Sequence, residues 1–178
     1  MDSSLQPKLA EIEAAIAGLS EQELRAAAPG KWSIAEILEH LSITYVTSMK
    51  GVMSKVLAAG PRASRPRLKQ RVTTFLVTGI GYFPQGRQAP EFTLPKGRAT
   101  SDVLADIRSA LPEMDTALAE CERRYGSRLK IADHPILGPL TAPQWRNFHC
   151  VHTRHHLKQI VARRKTLGER RAAAAADQ

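Results

Sequence analysis

The chain has 178 residues, 43% of them hydrophobic, and a formal net charge of +9. That length suits one domain with a sizeable core, and no apolar run approaches the eighteen or more residues that a membrane-spanning helix requires. Two widely separated cysteines, Cys121 and Cys150, exclude a disulfide-framed fold, and the polar Met1-Asp-Ser-Ser-Leu-Gln6 start carries no secretory pattern, so the expected location is the cytoplasm.

Helical signals follow one another along the chain. Leu5, Leu9, Ile12, Ile16 and Leu19 recur at spacings of three and four, which predicts a first helix over 5–19. Ser20-Glu-Gln-Glu23 has the form of a capping box and predicts a short helical turn, ended by Pro29-Gly30. A second capping box, Ser33-Ile-Ala-Glu36, opens the second helix, which carries Ile37, Leu38, Leu41, Tyr45, Val52 and Val56 and stops at Gly60-Pro61. Glu36, one turn before His40, is read as a cap, with a catalytic base as the alternative.

Residues 68–80 read as a further helix, basic first and apolar later. Gly79, Gly81, Pro84, Gly86, Pro90 and Pro95 then punctuate a long irregular connection over 80–99. A third long helix runs from Thr100-Ser101 to Gly126, with Pro112 expected to kink or restart it. Residues 131–140 (IADHPILGPL) read as a loop. The last helix opens at Thr141-Ala-Pro-Gln144, with a capping threonine and an early proline, and continues to Leu167. The expected architecture is therefore a single all-α helical bundle over 1–168, with residues 169–178 as a flexible tail.

Positive charge gathers in two clusters, Arg62, Arg65, Arg67, Lys69 and Arg71, and Arg163, Arg164, Lys165, Arg170 and Arg171. Neither is interleaved with aromatics, and no DNA-reading motif accompanies them. Solvated faces are the expected reading, with no specific nucleic-acid partner and no membrane partner. The first cluster could attract an anionic small molecule.

The histidines are the least random feature. Of six, His149, His152, His155 and His156 fall within eight residues of the last helix, while His40 and His134 lie elsewhere. Positions four apart differ by about 40° around a helix, so His152 and His156 can aim two imidazoles at one point. Such an H-x-x-x-H pair suits a divalent ion, but two imidazoles make a weak site; a catalytic site of the zinc type takes three protein ligands and leaves a position open. His40 is the one histidine on a different long helix, and bundles build metal sites from facing helices. The alternative is that these rings are simply packed and hydrogen-bonded. Thr153 stands where a zinc protease carries its glutamate. His149 and His155 are candidates for orienting a ligand or relaying a proton, and His134, before Pro135 in the expected loop, is read as structural. Cys150 points roughly 160° away from His152 around the helix, so it and Cys121 are read as structural too.

Two segments carry a family resemblance. Pro29-Gly-Lys-Trp32-Ser-Ile-Ala-Glu36-Ile-Leu-Glu-His40-Leu41 and Phe148-His-Cys-Val-His152-Thr-Arg-His155-His156-Leu-Lys-Gln159-Ile160 resemble the second-helix and closing-helix signatures of the DinB-like (YfiT-like) superfamily. Their order and separation match as well. The resemblance implies an up-down-down-up four-helix bundle, commonly dimeric, with a divalent metal, zinc or nickel, held by His40, His152 and His156. Relatives of this kind include metal-dependent hydrolases and thiol-dependent transferases that use bacillithiol or mycothiol. The functions expected are therefore metal-dependent hydrolysis or S-transfer on a small molecule, with an anionic low-molecular-weight thiol as a possible cosubstrate. The alternative is a non-catalytic metal-binding or dimeric scaffold protein with a degenerate site.

Overall fold

The computed structural model describes residues 5–83 and 88–176, the side chains of 170 and 174–176 excepted. Pro84 and Gly86 of the expected connection therefore lie outside the described residues, as does the side chain of Arg170. Helix α1 spans Gln6–Ile16 and α2 Glu21–Arg25, the latter opened by the Ser20–Glu23 capping box. The Ser33–Glu36 box opens α3, Ile34–Val46: the Glu36 carboxylate accepts from the Ser33 amide at 2.7 Å and from its hydroxyl at 2.8 Å. The second expected helix is not regular to Gly60. Its middle, Thr47–Met53, is wound as a π-helix before α4, Ser54–Ala59.

The expected helix over 68–80 forms as α5, Leu68–Thr74, followed by a π turn, Phe75–Gly79. Among its described residues, the connection beyond it contains one 3₁₀ turn, Glu91–Thr93. Helix α6 then runs unbroken from Thr100 to Tyr125. Pro112 does not restart it, although proline removes the amide that would bond the carbonyl of Arg108. The reason is packing: Val103, Ile107, Ala110 and Leu111 before or beside the proline, and Met114, Ala117, Leu118 and Cys121 after it, are all buried on one face. Full burial of each large apolar side chain contributes roughly 1.5–3 kcal/mol, which together outweigh one lost bond.

The expected loop over 131–140 is instead an antiparallel hairpin, β1 (Lys130–His134) with β2 (Gly138–Thr141). It pairs Ala132 with Leu140, Asp133 with Pro139 and His134 with Gly138. All four residues of β2 are buried, so the polar and apolar alternation that marks a half-exposed strand is missing from the sequence. The chain before α5 adds to this unit: the Arg62 amide donates to the Ile131 carbonyl at 3.0 Å, and Ser64 donates to the Asp133 carboxylate.

Helix α7 runs from Ala142 to Ala176, opened by the Thr141–Gln144 box. It does not end at Leu167. The alanine-rich stretch beyond Gly168 favours helix, and Arg171 pairs with Glu23 of the segment after α1. Arg164 donates to the Ala15 carbonyl at 2.9 Å and Arg163 to the Trp32 carbonyl at 3.1 Å. Much of the second basic cluster is thus spent on internal contacts.

Helices α1, α3 with α4, α6 and α7 form the four-helix bundle, so the fold class is all-α as expected, with the hairpin as an addition. Leu5, Ile12, Ile37, Leu38, Leu41, Tyr45, Ile107, Leu111, Met114, Trp145 and Ile160 are buried in its core. Arg146 joins α7 to α6 through Asp115 at 3.0 Å and Glu122 at 3.2 Å. Cys121 and Cys150 form no disulfide, and burial pushes both thiols up.

Candidate metal centre

Helices α3 and α7 cross with His40 facing the His152–His156 pair. The ligand atoms of the three rings lie within 4.8 Å of one another, and all three side chains are buried. Nε2 of His152 is 3.2 Å from Nε2 of His40 and 3.1 Å from Nε2 of His156. These spacings approach the ~3.4 Å between nitrogens around a tetrahedral ion with bonds of ~2.0–2.1 Å.

The outer nitrogens define the tautomers. Nδ1–H of His40 donates to the Thr93 carbonyl at 2.9 Å, and Nδ1–H of His156 donates to Oε1 of Gln159 at 2.8 Å. Both Nε2 atoms therefore turn bare lone pairs toward His152. The single ring of His152 can offer one N–H between them at most, and its own Nδ1 is buried without a hydrogen-bond partner. Three inward-facing imidazole nitrogens with one proton to share are better satisfied by a divalent cation. The residues present fit such an ion.

Burial pushes His152 well below the ordinary histidine range and His156 to about 3, in each case helped by the neighbouring imidazoles. Burial also lowers His40, although its bond to Thr93 opposes this. All three rings are thus held neutral, the form that binds metal. Aromatic rings enclose them: Trp32 lies 5.2 Å from His40, Phe83 5.5 Å from His152, and Phe148 stacks on His152 at 5.4 Å between centroids.

Three supporting groups had no role assigned from sequence. Thr93 is separated from His40 by 53 residues and has no motif. Gln159, three residues after His156, had a visible position but no visible partner. Glu39 is 2% exposed, and its carboxylate accepts from the amides of Lys96, Gly97 and Arg98 at 2.9, 2.9 and 3.2 Å. It anchors the segment that delivers Thr93, and its one sequence signal was a charge among the apolar Ile37, Leu38 and Leu41.

The remaining histidines go to different places. Gln159 Nε2–H donates to Nε2 of His155 at 3.2 Å, so the half-buried His155 is linked through one amide to His156. His149 is fully buried between Tyr45, Trp145 and Phe148, and neither of its ring nitrogens has a hydrogen-bond partner. His134 sits in the hairpin, where its Nδ1 accepts from the amides of Ile136 and Leu137, both at 3.1 Å. Glu36 is engaged in its cap rather than in the triad.

The α-helical bundle, with a buried three-histidine cluster across its second and closing long helices, fits a DinB-like protein. The chain belongs to the family described as Protein of unknown function (DUF1569), whose model matches residues 3–163. Among solved structures it is similar to YfiT from Bacillus subtilis, described as a probable metal-dependent hydrolase with an unusual four-helix bundle topology. That likeness covers 92% of this chain and 83% of the other at 17% identity and a TM-score of 0.61, which shows the shared fold. No curated protein matches the chain.

Proposed function

We propose that the protein is a divalent-metal-dependent hydrolase acting on a small molecule, with the ion, zinc or nickel, held by His40, His152 and His156. The observation that carries this reading is the convergence of three neutral Nε2 atoms, two with their outer nitrogens already bonded. Held on three neutral imidazoles, a divalent ion would keep its full charge and would supply Lewis-acid activation of a water or thiol at a remaining position. The chain's own residues do the rest. Thr93 and Gln159 hold His40 and His156 in the metal-binding tautomer, and Trp32, Phe83 and Phe148 limit access of bulk water. His155, joined to His156 through Gln159, is assigned the proton-handling and positioning role. His149, whose ring nitrogens lack hydrogen-bond partners, is assigned to packing, narrowing the pair of candidates that the sequence offered.

The same triad supports S-transfer as a second reading, favoured by the exposed basic residues between Arg62 and Arg71, which would attract an anionic low-molecular-weight thiol. We also propose a cytoplasmic homodimer, on the family resemblance and the sequence alone. Light scattering of the purified protein checks the dimer.

The test is metal analysis followed by activity screening. Protein incubated with zinc or nickel and desalted is expected to retain about one ion per chain. It should then hydrolyse members of an ester and amide panel, and lose that activity with the ion. Turnover that appears only when a thiol is added moves the assignment to the transferase. Substoichiometric metal, unchanged by His152→Ala, overturns the metal reading and leaves a scaffold.

A further inference from the structure

A cavity of about 530 Å³ opens on a different side of the closing helix, and none of the three triad histidines lines it. It lies where α5 and its π turn, the β1–β2 hairpin and the first turns of α7 meet. At about 100° per residue, Pro143 and Asn147 on its wall lie roughly 140–180° around α7 from His152 and His156, and Gln144 roughly 80–120°.

Its walls are held in place. The Thr74 hydroxyl donates to the Leu137 carbonyl at 3.1 Å, fastening α5 to the hairpin turn. The Gln70 amide lies so close to Gly138 that a Cβ there would stand 2.5 Å from it, and Gly138 has φ of +74°. Any other residue there is strained by that φ, and the Gln70 amide would have to shift to admit its Cβ. The turn and α5 therefore form one fixed wall.

The chemistry of the cavity is uneven. Phe75, Leu137 and Pro139 give it apolar surface, and Phe75 is 63% exposed. Arg71 and Lys130 also line it, with no carboxylate among the lining residues. Lys130 Nζ donates to Oε1 of Gln144 at 2.6 Å, and that oxygen also accepts the Thr141 amide, so the partner is neutral. Burial and the charge of Arg71 together push the Lys130 ammonium down. Two cations thus share a partly enclosed apolar recess without a counter-charge, an arrangement that an anion would relieve. The volume lies within the ~300–1,000 Å³ usual for small-molecule sites.

We propose that this cavity binds a small organic anion, its carboxylate or phosphate head between Arg71 and Lys130 and its apolar body against Phe75, Leu137 and Pro139. The inference is independent of the metal reading and survives if that reading fails.

Calorimetric titration of the full chain with anilinonaphthalene sulfonate, an apolar anion, tests it without added metal. One saturable site is expected, with Arg71→Gln and Lys130→Gln each weakening it about tenfold and uncharged N-phenylnaphthylamine binding wild type at least about tenfold more weakly. Lys130→Arg should retain binding, and Arg71→Gln carries the test alone if Lys130→Gln lowers the thermal midpoint sharply, since Arg71 is exposed. Octanoate displacing the probe better than octyl phosphate assigns a carboxylate, and the reverse order a phosphate. Displacement by neither, equal binding of the uncharged probe, or an Arg71→Gln protein that binds like wild type overturns the proposal.

Discussion

Helix α7 presents two sets of buried histidines, and they are built on opposite principles. In the triad, three nitrogens converge within 4.8 Å and the outer nitrogens of His40 and His156 are bonded. One to two turns earlier, His149 lies among Tyr45, Trp145 and Phe148 with both nitrogens unpartnered, beside a Trp145 Nε1 in the same condition. Burial pushes His149 to about 3, as it does His156. Desolvation alone therefore does not distinguish a binding site from a packed ring. What separates them is convergence, together with partners that fix the tautomer.

The largest test of that contrast is a pair of substitutions. His152→Ala is expected to reduce retained zinc from about one equivalent to below a tenth, while His149→Phe keeps nearly all of it; elemental analysis of desalted protein decides. Equal losses in both variants would erase the distinction. Next in size is Gln159→Leu, which strips the acceptor from His156 Nδ1. Metal affinity should fall about 10–100-fold, measured by competition with a chromogenic chelator, with the fold retained by circular dichroism.

Glu39→Gln acts further out. It weakens the anchoring of the 96–98 amides and is expected to cost roughly 1–3 kcal/mol in denaturant unfolding, with a several-fold loss of metal affinity through a loosened Thr93. A stability loss with unchanged affinity would show that Thr93 is held by other contacts.

A separate comparison concerns pH and the stability of the metal-free protein, not metal affinity. His149 titrates near 6.5 when unfolded and near 3 when folded, so below 6.5 the unfolded chain takes up a proton that the folded chain refuses. Stability of the metal-free protein should fall as pH drops from 6.5 toward 3, by roughly 1.4 kcal/mol per unit for this ring. His134, pushed to about 4 by burial, adds a similar slope over a shorter window. His149→Phe is expected to flatten the slope by its own share and to cost little at pH 7, because it also removes two unbonded nitrogens from the core. Urea titrations at several pH values measure both, and an unchanged slope would mean that His149 is hydrated in solution.

The sequence by itself determined the helical architecture and two of the candidate site's three ligands. Three- and four-residue apolar spacing places α1, α3 and α6, and the capping residues at Ser20, Ser33 and Thr141, the last opening α7, mark starts that the backbone adopts, because these are local preferences of consecutive residues. The same locality makes His152 and His156 legible, since four residues on a helix share a face wherever that helix packs. Only the tertiary structure decided the rest. Whether His40 reaches the pair depends on how α3 crosses α7, and its Thr93 partner arrives from a distant connection anchored by Glu39. The hairpin escaped detection because a strand buried on both faces shows no alternation. Arg71 and Lys130, 59 positions apart, become neighbours only when α5 docks on the hairpin turn. Spacing along a helix is written in the order of residues, whereas convergence between elements is settled by the packing of the whole core.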